Sequence, residues 1–125
     1  MYIFCRSGEH HSSTKFHIDM TDTVNIMVWA PSPRGENYTL WKIFPQAASP
    51  VIYEFLRATH QGNLSDTEHP IHSQAVYFTP AMFEQLYTMC GLRPFTIQQH
   101  IGEAVFIPAG CAHQASDTWK FRRPR

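Results

Sequence analysis

From residue 14 onward, apolar and polar residues alternate in the way extended chain requires, with i and i+2 on one face. In TKFHIDMTDTVNIM, residues 14–27, Phe16, Ile18 and Met20 fall on one side of such a strand and His17 and Asp19 on the other. The run TVNIMVWA is rich in β-branched residues and is closed by the turn-forming PSPRGEN. YTLWKIF, residues 38–44, reads as a second strand. At Ser49-Pro50 the period lengthens: Ser suits a helix N-cap, Pro the first helical position, and Val51, Ile52, Phe55 and Leu56 form an apolar stripe that Gly62 ends. The polar HQGNLSDTEH predicts a surface loop and SQAVYF, 73–78, a short strand. Thr79-Pro80 repeats the cap-and-proline pair, and Met82, Phe83, Leu86 and Met89 predict a second amphipathic helix ending at Gly91. PFTIQQHIGEAVFIPAG holds two strand-like pieces around His100-Ile101-Gly102. Strands at both ends with two helices between them predict an antiparallel β-roll carrying a helical insert, the Met and aromatic stripes serving as core.

Composition narrows this to one globular domain spanning residues 1–125, with 43% hydrophobic and 16% charged residues. A net charge of zero supplies no global field for nucleic acid or an acidic membrane, so no direct nucleic-acid partner and no membrane are expected. The basic end, WKFRRPR, reads as a solvated tail, with a nuclear-import or nucleic-acid role as the alternative. Cys5, Cys90 and Cys111 show no paired spacing, as expected of a reducing, intracellular compartment. The N-terminus has no signal-peptide pattern, and no apolar run nears the ~20 residues of a bilayer span. The sequons at Asn37 and Asn63 read as chance matches without an export signal.

Chemistry concentrates at two places. His17 and Asp19 aim an imidazole and a carboxylate at one spot, and AVFIPAGCAHQ, residues 104–114, runs a strand through the turn Pro108-Ala109-Gly110 to His113. Two histidines and a carboxylate make the facial set of non-haem Fe(II) oxygenases, which leaves three coordination positions open where a tetrahedral zinc site leaves one. On its own, H-x-D with a distant His is a common chance pattern. Of the other histidines, His10-His11 read as loop, and His69 and His72 lack the cysteine pair of a zinc site. Cys111 reads as an inert buried thiol.

The blocks TKFHIDMTDTVNIM, LWKIF, HPIHSQ and AVFIPAGCAHQ, in this order and spacing, resemble the JmjC-domain histone lysine demethylases. The nearest branch acts on lysine nine of histone H3 and includes the Hairless corepressor. The resemblance covers residues 14–114, with AVFIPAGCAHQ its most specific block. It implies a mainly β fold, a cupin-like double-stranded β-helix (jelly roll) with two inserted helices, in which His17, Asp19 and His113 bind Fe(II). It implies 2-oxoglutarate as cosubstrate, hydroxylation of an N-methyl group that leaves as formaldehyde, a histone tail or other methyl-lysine protein as partner, and the nucleus as location. Thr14 lies where related enzymes place a hydroxyl donor to the cosubstrate. Asn25, odd-numbered like His17 and Asp19, is expected on their strand face, and Lys15 or Lys42 is a candidate cation for the far carboxylate. Each of these four reads equally as an ordinary surface or strand-polar residue. Met1-Tyr2 resembles a piece well inside the family domain, and ASDTWKFRRPR stands where the family has an apolar strand with a lysine. The roll is therefore expected to be incomplete at both ends. That keeps open a non-catalytic chromatin-binding or corepressor module, beside a cupin-type protein hydroxylase.

Overall fold

Six short strands and two helices make up the computed structural model, which describes residues 14–31, 37–59 and 76–118. The strands are β1 (Thr14–His17), β2 (Thr23–Ile26), β3 (Thr39–Ile43), β4 (Phe95–Gln99), β5 (Ala104–Ile107) and β6 (His113–Asp117). The helices, α1 (Ser49–Ala58) and α2 (Pro80–Cys90), lie between β3 and β4. All strand pairings are antiparallel, in a four-stranded sheet of order β1-β6-β3-β4 and a two-stranded sheet β2-β5. The chain crosses from one sheet to the other and back at both ends, which is the winding of a β-roll. The expected placement of the first motif beside the last is realised twice: β1 pairs with β6, and β2 with β5.

Two apolar clusters sit on opposite faces of the larger sheet. Between the sheets, Trp41 and Ile43 of β3 meet Val105 and Ile107 of β5 and Ala115 of β6. On the outer face, Phe16 and Phe44 pack with Ile52, Phe55 and Leu56 of α1 and Leu86 of α2, together with Val76 and Phe78. Phe16 and Phe78 have ring centroids 4.6 Å apart, and Phe16 meets Phe44 edge-on at 5.9 Å. Both helices thus cover the outside of the roll with their apolar stripes, because burial of such a stripe is what holds a short helix together.

Several sequence expectations are corrected in detail. TKFHIDMTDTVNIM is not one continuous strand; it breaks after His17, and Asp19 lies in the connection to β2. Met20 is consequently exposed rather than aligned with Phe16. Ser49 is not the N-cap of α1: a 3₁₀ turn (Gln46–Ala48) leads into the helix, Ala48 holds the cap position, and no side chain caps it. Val51 and Met89 face solvent, outside the stripes assigned to them. The cap at Thr79 is as expected, its hydroxyl accepting from Met82 N–H, and Gly91 closes α2 at φ 71°. Residues 76–78 are not strand. Their backbone is satisfied otherwise: Phe16 N–H donates to Val76 O, and the buried Gln114 amide binds both Phe78 N–H and Phe78 C=O. Cys5, His10, His11, Gly62, His69, His72, Asn63 and the basic tail lie outside the described residues.

Candidate metal centre

β1 places Phe16 and His17 on opposite faces, one packed under the helices and the other turned to the inside of the roll. On β6, His113 lies directly across from His17, and the two imidazole centroids are 4.3 Å apart. Asp19 arrives from the β1–β2 connection. Its carboxylate oxygens stand 3.5 Å from His17 Nε2 and 3.5 Å from His113 Nε2. One ligand atom from each of the three lies within 4.8 Å of the others. Donors bound to one ion at about 2.1 Å with right-angle geometry sit roughly 3.0 Å apart, so a small inward movement completes such a set.

The other ring nitrogens decide which lone pairs are offered. His17 Nδ1 is 2.7 Å from Lys15 O, and His113 Nδ1 is 2.9 Å from Cys111 O. A carbonyl only accepts, so both Nδ1 atoms carry a proton and Nε2 of each ring is left facing the Asp19 carboxylate. Each histidine is therefore oriented by the backbone carbonyl two residues before it, the outer hydrogen bond that metal-binding histidines generally require. Burial pushes the His113 imidazole below its ordinary value, with His17 adding to this and the Cys111 bond and Asp19 opposing it. That favours the neutral form of the ring, the form that can act as a ligand. His17 and His113 are buried while Asp19 is about a third exposed, so the site opens on the carboxylate side. The donor set and tautomers fit a divalent ion of the Fe(II) type.

Convergence depends on the turn before β6. Gly110 N–H donates to Asp19 O at 3.0 Å, and Ala109 N–H donates to Asp22 Oδ1 at 2.8 Å. These bonds dock the loop leading to His113 onto the loop carrying Asp19. Gly110 has φ 79°, and a Cβ there would meet the Gln46 side chain at 3.1 Å. We expect Gly110→Ala to cost about 1–2 kcal/mol of stability through the left-handed backbone alone. Mn(II) binding should also weaken several-fold, measurable by urea unfolding and metal titration of the same preparation. Wild-type values in both would show that the turn does not hold the centre.

The four candidate cosubstrate residues are placed unequally. Thr14 pairs with Ala115 while His17 pairs with His113, three residues of β1 spanning two of β6. This irregularity brings Thr14 and His17 to the same inward face, which a regular strand would forbid. Asn25 reaches the interior by another route than odd numbering: it lies across from the buried Val105 in the smaller sheet. Lys15 is exposed, and it contributes its carbonyl to His17. Lys42 is on the face of β3 opposite Trp41, its ammonium 2.9 Å from Thr96 Oγ1 and 5.8 Å from the Phe83 ring centroid. Lys42 is thus turned away from the centre, on the outward phase of β3. Cys111 packs half-buried against the interior cluster.

The sequence reading missed Asp22, Thr23 and Gln99. Thr23 Oγ1 lies 3.4 Å from Asp19 Oδ2. The signal for Gln99 was present in TIQQH, where a polar residue occupies the inward phase of a strand.

The profile of the family described as "JmjC domain, hydroxylase" matches residues 4–119. Lysine-specific demethylase JMJ27 of Arabidopsis thaliana is 39% identical over 82 residues, covering 60% of this chain and 10% of that protein. Lysine-specific demethylase 3A-A of Xenopus laevis is 28% identical over 142 aligned residues, covering 87% of this chain and 11% of that protein. The chain thus spans about a tenth of the length of these curated relatives.

Proposed function

Because this chain belongs to the JmjC domain family, we propose that it is an Fe(II)- and 2-oxoglutarate-dependent oxygenase that demethylates lysine in a histone tail. The observation that carries the reading is the convergence of His17 Nε2, Asp19 and His113 Nε2 on one point, with both imidazoles already in the ligating tautomer. The relatives named as lysine-specific demethylases support the reaction class. The blocks shared with the branch acting on lysine nine of histone H3 support that residue as substrate, and with it a nuclear location.

When bound, Fe(II) with 2-oxoglutarate and dioxygen supplies the oxidising power, and the products are succinate, carbon dioxide and a hydroxylated methyl group that leaves as formaldehyde. The residues of the chain hold and orient. His17, Asp19 and His113 would hold the ion, and the Asp19 carboxylate would offset part of its charge. The wall of Trp41, Ile43, Val105 and Ile107 keeps water from the inner side. Thr14 and Asn25 lie on inward faces of β1 and β2, and in this reading they donate to a carboxylate of the cosubstrate.

The test is anaerobic loading with Fe(II), followed by air, 2-oxoglutarate and histone H3 peptides methylated or unmethylated at lysine nine. Succinate release should depend on the methylated peptide, with loss of a methyl group by mass. Absence of succinate with every methylated peptide, from protein shown to hold Fe(II), would overturn the enzyme reading.

A further inference from the structure

Gln99 is 1% exposed at the end of β4, and its amide joins the two sheets. Its Oε1 accepts from Trp41 Nε1 at 2.8 Å, while Nε2 reaches Asn25 O at 2.9 Å, Glu103 O at 3.0 Å and Asn25 Oδ1 at 3.2 Å. The orientation of this amide is forced. An indole N–H only donates, so the atom facing Trp41 is oxygen; backbone carbonyls only accept, so the atom facing Asn25 and Glu103 is nitrogen. A second amide is then fixed by the first. The Asn25 atom nearest Gln99 Nε2 must be its oxygen, because two NH₂ groups would repel there.

Asn25 is left with Nδ2 turned away from Gln99, and among the described residues no acceptor takes its protons. Thr23, two residues earlier on the same inward face of β2, touches Asp19, so Asn25 stands one step along the wall from the metal residues. Trp41, the other partner of Gln99, has its ring centroid 6.1 Å from that of His113.

We infer that Gln99 is a positioning residue that locks Asn25 with its N–H donors turned away from Gln99, making the wall beside the triad selective for a carboxylate-bearing ligand. This rests on the oxygenase reading, which supplies 2-oxoglutarate as that ligand. Gln99 never touches the ligand; it acts through Asn25. A free Asn25 amide would present its oxygen about as readily as its nitrogen, and an oxygen repels a carboxylate.

The experiment compares wild type, Gln99→Met, Asn25→Ala and the double variant in the full chain. Met keeps the length and neutrality of Gln but has neither donor nor strong acceptor. The first readout needs no ligand: the ¹⁵N side-chain amide signals of Asn25 should be sharp in wild type and broadened or shifted in Gln99→Met. The second is titration of the Mn(II)-loaded protein with 2-oxoglutarate. Gln99→Met should keep Mn(II) affinity within about twofold and lose about tenfold in 2-oxoglutarate affinity, while adding no further loss in the Asn25→Ala background. A loss that is additive in the double variant would overturn the inference, as would wild-type 2-oxoglutarate affinity in Gln99→Met. If wild type binds Mn(II) but no 2-oxoglutarate, the oxygenase reading fails and the amide signals alone decide whether Gln99 holds Asn25. Unchanged signals in Gln99→Met would then overturn that as well. A Gln99→Met protein that fails to hold Mn(II) would overturn the inference in favour of a purely structural residue.

Discussion

Asp19→Ala is expected to weaken Fe(II) or Mn(II) binding by more than about a hundredfold and to abolish any turnover of 2-oxoglutarate. Changes in the groups that merely orient metal ligands commonly cost about 10–100-fold, so deleting a ligand should exceed that range. Asp19 is also the sole carboxylate of the set, placed 3.5 Å from each imidazole nitrogen. Two neutral imidazoles without it form a weaker and less selective site. Asp19→Asn separates charge from shape: it keeps an oxygen at the same place and loses the negative charge. It should fall between wild type and Asp19→Ala in metal affinity while remaining inactive. The fold should be nearly unaffected by either change. Asp19 is partly exposed in a connection, its carbonyl bond to Gly110 belongs to the backbone, and the hydrogen bond its carboxylate accepts from Thr23 is a long one at 3.4 Å. The check is Mn(II) titration beside circular dichroism and thermal unfolding. Wild-type Mn(II) affinity in Asp19→Ala would remove this carboxylate from the metal centre.

The centre was largely legible in the sequence because its chemistry is carried by residue types. His17 and Asp19 are two residues apart, and AVFIPAGCAHQ delivers His113 from a turn whose Pro and Gly are visible as letters. What was not legible depends on how segments meet. The strand break after His17 comes from the Asp19–Asp22 connection docking on Ala109 and Gly110, a contact across about ninety residues of sequence that no local period encodes. The same break voids the odd-number argument for Asn25, which faces inward only because β2 pairs with β5. Lys42 looked available because it lies in an apolar strand, yet alternation sends it to the outer face once Trp41 takes the inner one. Residues 76–78 resembled a strand because they are extended and apolar. Only one backbone bond, from Phe16 N–H to Val76 O, ties them to β1, and the Gln114 side chain satisfies Phe78 in place of a neighbouring strand. The helices were the most legible part, since Thr79, Pro80 and Gly91 announce α2 by local chemistry alone.

Their packing leads to the largest expected effect on stability. Phe55→Asp and Leu86→Asp should each leave the chain unfolded or aggregated at room temperature. Phe55 is 2% exposed and packs near the Phe78 ring, with centroids 6.2 Å apart; Leu86 is fully buried in the same cluster. Losing a buried Phe or Leu side chain costs about 2–5 kcal/mol, and a carboxylate without a partner in that space adds several more. A domain of this size has roughly 5–15 kcal/mol in total, so either substitution consumes most of it. The outer cluster and the metal centre share one strand, with Phe16 buried among the helix residues and His17 facing the other way. Phe55→Asp should therefore also abolish Mn(II) binding, although no helix residue is among the ligands. Val51→Asp and Met89→Asp are the matched controls on the exposed faces of the same helices, each expected to change stability by no more than about 0.5 kcal/mol. Urea unfolding followed by tryptophan fluorescence distinguishes the pairs. A soluble Phe55→Asp protein with a wild-type unfolding midpoint would show that the helices are dispensable to the roll, and the centre would then have to be held by the sheets alone.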